Sequence, residues 1–384
     1  MAIVVTAIGA CVAYGYADPA PDETADAPAA AVPLDGPPET VGGGGSRRFT
    51  LLASGDLLSH TSVLMQASAD AGGSGYDYGA MLEAVRPIIE GVDVAICHLE
   101  TPVAAPGTEV DGVVPVFGAP RQIAGEIRAA GYDRCSLASN HALDQGAAGI
   151  DATLAAFDRA DLGHAGMGRD LAESAATVFQ VNGVAVAHLS ASSYFNGFSP
   201  PAGEPWRVNE IDAERIVDEA LQARADGASV VVVSLHWGSE GVSDVIPEQR
   251  QVAEALTASG AVDLIVGHHA HVVQPIQKLN GRWVVFGMGN QLSGMGDSTN
   301  CCGVRALDGM MIRTEFVEQP DGKFAVARPE AIPTYLGRSP YRVVPVTAGL
   351  ADPAVAAHVT RDELTASLDR TSTIVGQYIR PDQR

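Results

Sequence analysis

The stretch Val262–Val273 reads Val-Asp-Leu-Ile-Val-Gly-His-His-Ala-His-Val-Val, a short apolar run that ends in glycine and then sets out His268, His269 and His271. Neutral imidazole is the commonest side-chain ligand of metal ions. His269 and His271 stand two residues apart, a spacing that in an extended segment sends both rings to the same side. Other ligand-type residues recur along the chain: Asp56 after Gly55, His60, His98 and Glu100 in a His-Leu-Glu triplet, Asn140 beside His141, and His236 before Trp237. Taken singly, each has a plainer reading. A Gly-Asp pair is most often a turn, an Asn-His pair a loop or cap, and a His-Trp pair packing. Taken together, carboxylate, amide oxygen and imidazole form a hard-to-borderline set that suits Mn, Fe or Zn as divalent ions better than cuprous copper or an iron–sulfur cluster. The candidates outnumber the ligands of one four-coordinate ion, so two divalent metal ions are expected. A pair of ions about 3.5–4 Å apart stabilises both the attacking and the leaving oxygen of an in-line displacement. Glu100 is the carboxylate expected to lie between them.

Such residues converge only if the chain delivers them to one place. Val262–Val266 reads as a buried strand, with its histidines just past the C-terminal end, where open α/β sheets place their sites. Strands are also predicted over 49–54, 92–97, 132–138, 184–190, 229–235 and 282–286, and Gly309–Glu318 alternates as an antiparallel strand does. Helices are predicted over 77–90, 122–130, 147–160, 213–225 and 247–259, the last opening on Pro247. This alternation implies an α/β fold with helices outside. Asp56, Glu100, Asn140-His141, His236 and His269/His271 all follow predicted strands, so one sheet edge can gather them.

The chain has 384 residues, 46% of them hydrophobic, and a formal net charge of −22. Lysine occurs only as Lys278 and Lys323. With no basic stripe to offset that charge, no nucleic-acid partner and no anionic membrane surface is expected. The run Gly287–Gly294 lacks the dinucleotide fingerprint, and no Gly-Lys-Ser/Thr phosphate loop occurs. Residues 1–16 are apolar but too short to span a bilayer. Ile8-Gly-Ala-Cys11 is similar to a lipobox, and lipidation at Cys11, a truncated membrane anchor and an accidental apolar start all stay open. Residues 17–46, rich in Pro, Ala, Asp and Glu, read as a disordered linker. A folded domain is expected over 47–345, followed by a partly helical extension over 346–384. The resulting expectation is an extracytoplasmic protein, associated with the cell membrane only through an N-terminal anchor or lipid. Of the five cysteines, Cys97 and Cys135 read as buried thiols unless their strands are adjacent, and Cys301-Cys302 as free thiols rather than a vicinal disulfide.

From about Phe49 to Asn290 the chain carries, in order, Gly55-Asp56, His98-Leu-Glu100-Thr-Pro102, Ala138-Ser-Asn-His-Ala-Leu-Asp-Gln-Gly146, His236-Trp-Gly-Ser-Glu240, Gly267-His-His-Ala-His-Val-Val-Gln274 and Gly289-Asn290. This series resembles the CapA (PgsA) capsule-synthesis family of the calcineurin-like metallophosphoesterase superfamily. The resemblance implies a four-layer sandwich of two mixed β-sheets flanked by helices. It places Asp56 and His271 on one ion, Glu100 between the two, and Asn140, His236 and His269 on the second. His141 is then the acid at the leaving group, oriented by Asp144, while Glu240 orients His236. His98, His268 and Asn290 stand behind the ligands. His60 is a candidate for the first ion, with a solvated or capping His60 as the alternative. This chain has His98, Ser139, Ala270 and Gln291 where the family usually has Asn, Asn, Pro and Phe. None of these removes an assigned ligand, although Ala270 is expected to relax the backbone between His269 and His271. The implied function is phosphoester hydrolysis by metal-activated water in capsule or poly-γ-glutamate biosynthesis. The alternatives are a non-catalytic component of a complex with membrane synthase subunits, and a metal-dependent amide hydrolase acting on the polymer.

Overall fold

Runs of Val, Ile, Leu and Ala alternate with Ala-, Glu- and Arg-rich helical stretches, and the computed structural model folds them into two β-sheets. It describes residues 46–296, 302–356 and 358–380. The apolar start, Cys11, the Pro-rich tract and Cys301 lie outside the described residues.

Strands β1 (Arg48–Leu57), β2 (Val94–Leu99), β3 (Arg134–Ser136) and β4 (Gly163–Ala165) lie side by side and parallel. The chain then builds the second sheet from β5 (Thr177–Val181), β6 (Val184–Ser192), β7 (Val230–His236), β8 (Leu264–His268), β9 (Ile276–Leu279) and β10 (Arg282–Val285). There β6, β7, β8 and β10 run parallel, while β5 and β9 are antiparallel edges. The chain returns to the first sheet with β11 (Asn290–Leu292), β12 (Asp308–Glu318), β13 (Phe324–Val326), β14 (Glu330–Arg338) and β15 (Tyr341–Pro345). Of these β11 is parallel to β1, and β12 pairs with β1 antiparallel. Both sheets are therefore mixed.

The alternation along β1 shows how the layers form. Phe49, Leu51 and Ala53 face a core shared with Val186, Val230, Val232, Leu264 and Val266 of the other sheet. Leu52, on the opposite side of the strand, packs with Ile127, Ile150 and Leu154 from the helices outside the first sheet. Helices Ala213–Ala225 and Pro247–Ala258 cover the second sheet through Ile216, Ala220, Ala253 and Leu256. Asp212 caps the first of them by accepting the Arg215 N–H, and Pro247 opens the second, where a missing N–H costs nothing. The result is helices, sheet, sheet, helices.

Several expectations need correction. The predicted helix over 77–90 is two short helices, Gly79–Leu82 and Arg86–Ile89. Pro87 sits in the first turn of the second, the helical position that tolerates its ring and lost donor, so the helix restarts there rather than running through. Cys97 and Cys135 are joined by a disulfide, because β2 and β3 are adjacent and put these residues directly opposite each other with their Cα atoms 4.4 Å apart. Cys302 is also disulfide-bonded, not a free thiol. Residues 346–380 are part of the same fold rather than an extension of it. Val346 and Leu364 join the helix-side core, and Val375, Tyr378 and Ile379 enter the core between the sheets. Helix Arg361–Val375, with its Thr360–Glu363 capping box, is fixed by Arg370 donating to both oxygens of Asp308, and Tyr378 Oη donates to Ile276 O at 2.8 Å. No helix among the described residues is long and apolar enough to cross a membrane.

Candidate metal centre

The C-terminal ends of β1, β2, β7 and β8 meet along one edge of the sandwich. In register, Asp56 stands opposite His98 on one side and Asn290 on the other, and His236 stands opposite His268. Two glycines make this convergence sterically feasible. A Cβ on Gly55 would lie 2.2 Å from Gly289 O, and one on Gly267 would lie 1.9 Å from Phe286 O. Beyond Gly267 the backbone is not extended: His269 and His271 have φ of 83° and 55°. Their rings approach, with centroids 5.9 Å apart, because the chain turns twice through the left-handed region, not through strand alternation. Nor is the segment loose at Ala270. That residue is buried with Val272, Met295 and Ala306, and its carbonyl accepts the Gly241 N–H at 2.8 Å.

Glu100 is the centre of the arrangement. It is fully buried, with Oε1 3.7 Å from His271 Nε2 and 3.9 Å from His236 Nε2. It belongs to two sets of potential ligands, His98–Glu100–His236 and Glu100–His269–His271. His236 Nε2 lies 2.9 Å from Asn140 Oδ1, and the ring of His269 lies 4.6 Å from that of His236. Asp56 serves the histidines of the loop. Its Oδ1 is 2.8 Å from His268 Nδ1, and its Oδ2 accepts the His269 N–H at 3.1 Å and lies 3.3 Å from His271 Nδ1. Asp56 and His271 are thus together, but Asp56 meets the ring nitrogen turned away from Glu100. That same nitrogen is 2.9 Å from Asn290 Oδ1.

Behind these residues His98 uses both nitrogens, Nδ1 toward Ser136 Oγ at 2.8 Å and Nε2 toward His236 Nδ1 at 3.0 Å, while its ring stacks on His268 at 4.0 Å. His98 therefore positions His236, the task assigned to Glu240 in the sequence. Glu240 is exposed and makes no hydrogen bond to His236, since the ring nitrogen it was to orient is already engaged. His60 stands apart from the ligand sets. Its Nδ1 accepts the Gly294 N–H at 3.1 Å, and its ring packs edge-on to Phe117. His141 Nδ1 is 2.7 Å from Asp144 Oδ2, which also accepts the Phe117 N–H at 2.7 Å.

Two residues were not singled out from the sequence. Tyr194 Oη lies 2.7 Å from His269 Nε2, and Asn196 joins Asn140 and His141, at 3.3 Å to each. Both lie in Ser-Ser-Tyr-Phe-Asn-Gly, just after β6. The signal was available, since polar residues at the end of a parallel strand fall on the same edge as the other candidates.

The electrostatics follow from burial. Burial drives the imidazoles of His98 and His236 well below their ordinary range and lowers His269 to about 3, so these rings are neutral lone-pair donors. Burial also pushes the Glu100 carboxyl well above the usual carboxylate range. Burial opposes charge on His271 too, but the Glu100 and Asp56 carboxylates outweigh it and raise that ring to about 10. For Asp56, burial is outweighed by hydrogen bonds from His268 and His271, which hold its carboxyl below the usual range.

Both oxygens of Glu100 and Nδ1 of His269 are buried without a hydrogen-bond partner. Buried polar atoms in native proteins are almost always satisfied. Acceptors left bare, with Asn140 Oδ1 and the neutral ring of His236 beside them, are what a cation satisfies. The Asp, Glu and His groups here could hold metal, and the donor set fits divalent ions of the Mn, Fe or Zn kind.

The family model described as bacterial capsule synthesis protein PGA_cap matches residues 50–295. The PGA biosynthesis protein CapA of Bacillus subtilis is 33% identical over 192 residues, which cover 49% of this chain and 48% of the relative. The capsule biosynthesis protein CapA of Bacillus anthracis is 34% identical over 168 residues, 43% of this chain and 41% of the relative. The chain thus matches about half the length of these curated relatives. Among solved structures, a calcineurin-like phosphoesterase of Bacillus subtilis superimposes with a TM-score of 0.46 at 14% identity, over 85% of this chain and 97% of that one. A phosphatase of Mycoplasma pneumoniae does so with a TM-score of 0.45 at 14% identity, over 75% of this chain and 94% of that one.

Proposed function

The chain belongs to the bacterial capsule synthesis family PGA_cap, and from that premise we propose that it is an extracytoplasmic two-metal hydrolase of phosphoesters, tethered at the cell membrane and serving the metabolism of an acidic surface polymer. The observation that carries this reading is Glu100, a buried carboxylate with both oxygens unpartnered between His271 and His236. Asp56 and His271 would hold one ion, Asn140, His236 and His269 the other, and Glu100 would be shared. Bound there, the ions would supply positive charge at a phosphoryl oxygen and acidify water between them.

The chain's own groups divide the remaining work. Asp56 fixes the histidine loop through His268, the His269 N–H and His271. His98 and Tyr194 hold the rings of His236 and His269 from behind. Asp144 accepts from His141 Nδ1–H, so that ring, when doubly protonated, would give its Nε2 proton to the leaving oxygen and remain as the neutral Nδ1–H form. The His141 side chain is 10% exposed, so it borders the solvent from which a substrate arrives.

A second reading is favoured by the relatives' names, which speak of biosynthesis rather than hydrolysis. In that reading the chain keeps the ions as structure and acts beside membrane synthase subunits. Hydrolysis of bis(p-nitrophenyl) phosphate by the purified full chain, with Mn or Zn added, separates the two. Turnover that is lost in Asn140→Ala supports the hydrolase. A metal-loaded protein inert on phosphodiesters but cleaving γ-glutamyl amides would replace it with an amidase, and one inert on both would leave the structural role.

A further inference from the structure

Outside the metal centre, a cavity of about 650 Å³ opens between the loop that follows Glu100 and the helix Gly146–Ala160. The loop contributes Val103 to Pro106. The helix contributes Ala148, Ala152, Ala155 and Arg159, spaced so that they form one stripe on one helix face. Arg121 closes the other side beside Gln122. Among the described residues, Arg121 and Arg159 are the arginines whose side chains have no hydrogen bond, ion pair or ring contact, and both line this one cavity.

The setting makes that notable. The chain has 46 acidic residues against 24 basic ones, so carboxylate partners are abundant, and the other described arginines each have a partner. The acid in this wall, Asp151, is taken by Arg207 at 2.5 Å. Two unpaired guanidiniums facing one cleft are forked donors preorganised for carboxylate or phosphate. Between them much of the wall is apolar, formed by alanines, Val103, Pro106 and Val110, with Tyr76, Thr108 and Gln122 adding polar groups. We infer that this cleft is a subsite for an acidic chain whose carboxylates are separated by methylene groups, with Arg121 and Arg159 each taking a carboxylate. The class of ligand rests on the acidic-polymer part of the proposed function. The cleft is also tied to the metal centre. Its loop begins at Glu100, and its helix begins just after Asp144 and Gln145, whose Oε1 accepts the Ala105 N–H at 3.4 Å. An acidic chain lying here would be held beside the hydrolytic residues of a protein whose overall charge repels it.

The test is calorimetric titration of the full metal-loaded chain with a synthetic γ-linked pentaglutamate at low ionic strength. The wild type should bind saturably, with affinity falling as NaCl is added. Arg121→Gln/Arg159→Gln should bind at least tenfold more weakly at unchanged metal content and melting temperature. No saturable binding by the wild type, or equal binding by the double variant, overturns the assignment. Tighter binding of inorganic phosphate than of pentaglutamate at the same arginines overturns the choice of a carboxylate chain. The two readings fail separately: absent phosphodiester hydrolysis with intact pentaglutamate binding removes only the hydrolase, and the converse removes only the subsite.

Discussion

His236 Nδ1 faces His98 Nε2 at 3.0 Å, ring against ring, with no carboxylate between them. The direction of that bond can be followed outward. Ser136 Oγ donates to Cys97 O at 3.3 Å, so it accepts from His98 Nδ1–H, and His98 Nε2 accepts from His236 Nδ1–H. In that arrangement His236 Nε2 turns a lone pair toward Asn140 Oδ1, 2.9 Å away, and toward Glu100, a geometry that a cation held among them would satisfy. His98→Ala should let His236 take its other tautomer and weaken metal binding about 10–100-fold, whereas His98→Asn, with an acceptor oxygen, should lose less. Competition with a chelating dye measures both, and equal affinities in the two variants would remove the relay.

Glu100 predicts opposite effects in the loaded and metal-free protein. A buried carboxylate without a partner is costly when no cation faces it. Glu100→Gln should therefore melt no lower than the wild type in chelator, and higher if the charge dominates. With metal present the variant should melt below the wild type and hold less metal. Elemental analysis and thermal melts check this, and a variant that retains full metal would exclude Glu100 as a shared ligand.

Tyr194→Phe removes the oxygen 2.7 Å from His269 Nε2 without changing the shape of the ring. With Nε2–H donating to Tyr194, Nδ1 is the nitrogen turned to the ion. The expected outcome is weaker metal binding, about tenfold or more, with the metal-free melting temperature within a degree or so of the wild type. An unchanged metal affinity would mean that Tyr194 merely packs there.

Chelation followed by re-addition tests occupancy directly. Ligand that binds only the native state adds about 2.7 kcal/mol of stability at a concentration 100 times its dissociation constant. Stripped protein should regain its melting temperature on addition of Mn or Zn, while Asp56→Ala/Asn140→Ala protein should not. A stripped protein that melts like the loaded one would argue against a resident metal.

Much of the sheet system was legible because its strands are nearly pure runs of apolar residues. Val230–Leu235 and Leu264–Val266 are buried on both faces and flanked by polar or glycine residues, so their type and direction could be inferred. Most of the strands that escaped notice are short or at edges; β14, nine residues long between β12 and β15, escaped because Pro333 and Gly337 break its run. β4 and β11 have three residues each, too few for a period to register, and β13 borders the first sheet. The residue types of the metal centre were legible for a different reason, since each follows a strand. Their finer arrangement was not. The left-handed turns at His269 and His271 follow a Gly267 that packs against the carbonyl of Phe286, the residue just past β10, and local spacing carries no trace of either. The partnership of His98 with His236 likewise joins strands of different sheets, 138 residues apart.

The pairing of β1 with β12 has a consequence for biosynthesis. Arg48 lies opposite Val317 and Ser54 opposite Met311, so the first seven residues of β1 keep an unpaired flank until Asp308–Glu318 has left the ribosome. Contacts so distant in sequence form late and slowly. A nascent chain therefore carries every histidine of the loop before β1 has its antiparallel neighbour, so the sheet whose edge gathers these residues is completed only after synthesis of nearly the whole fold.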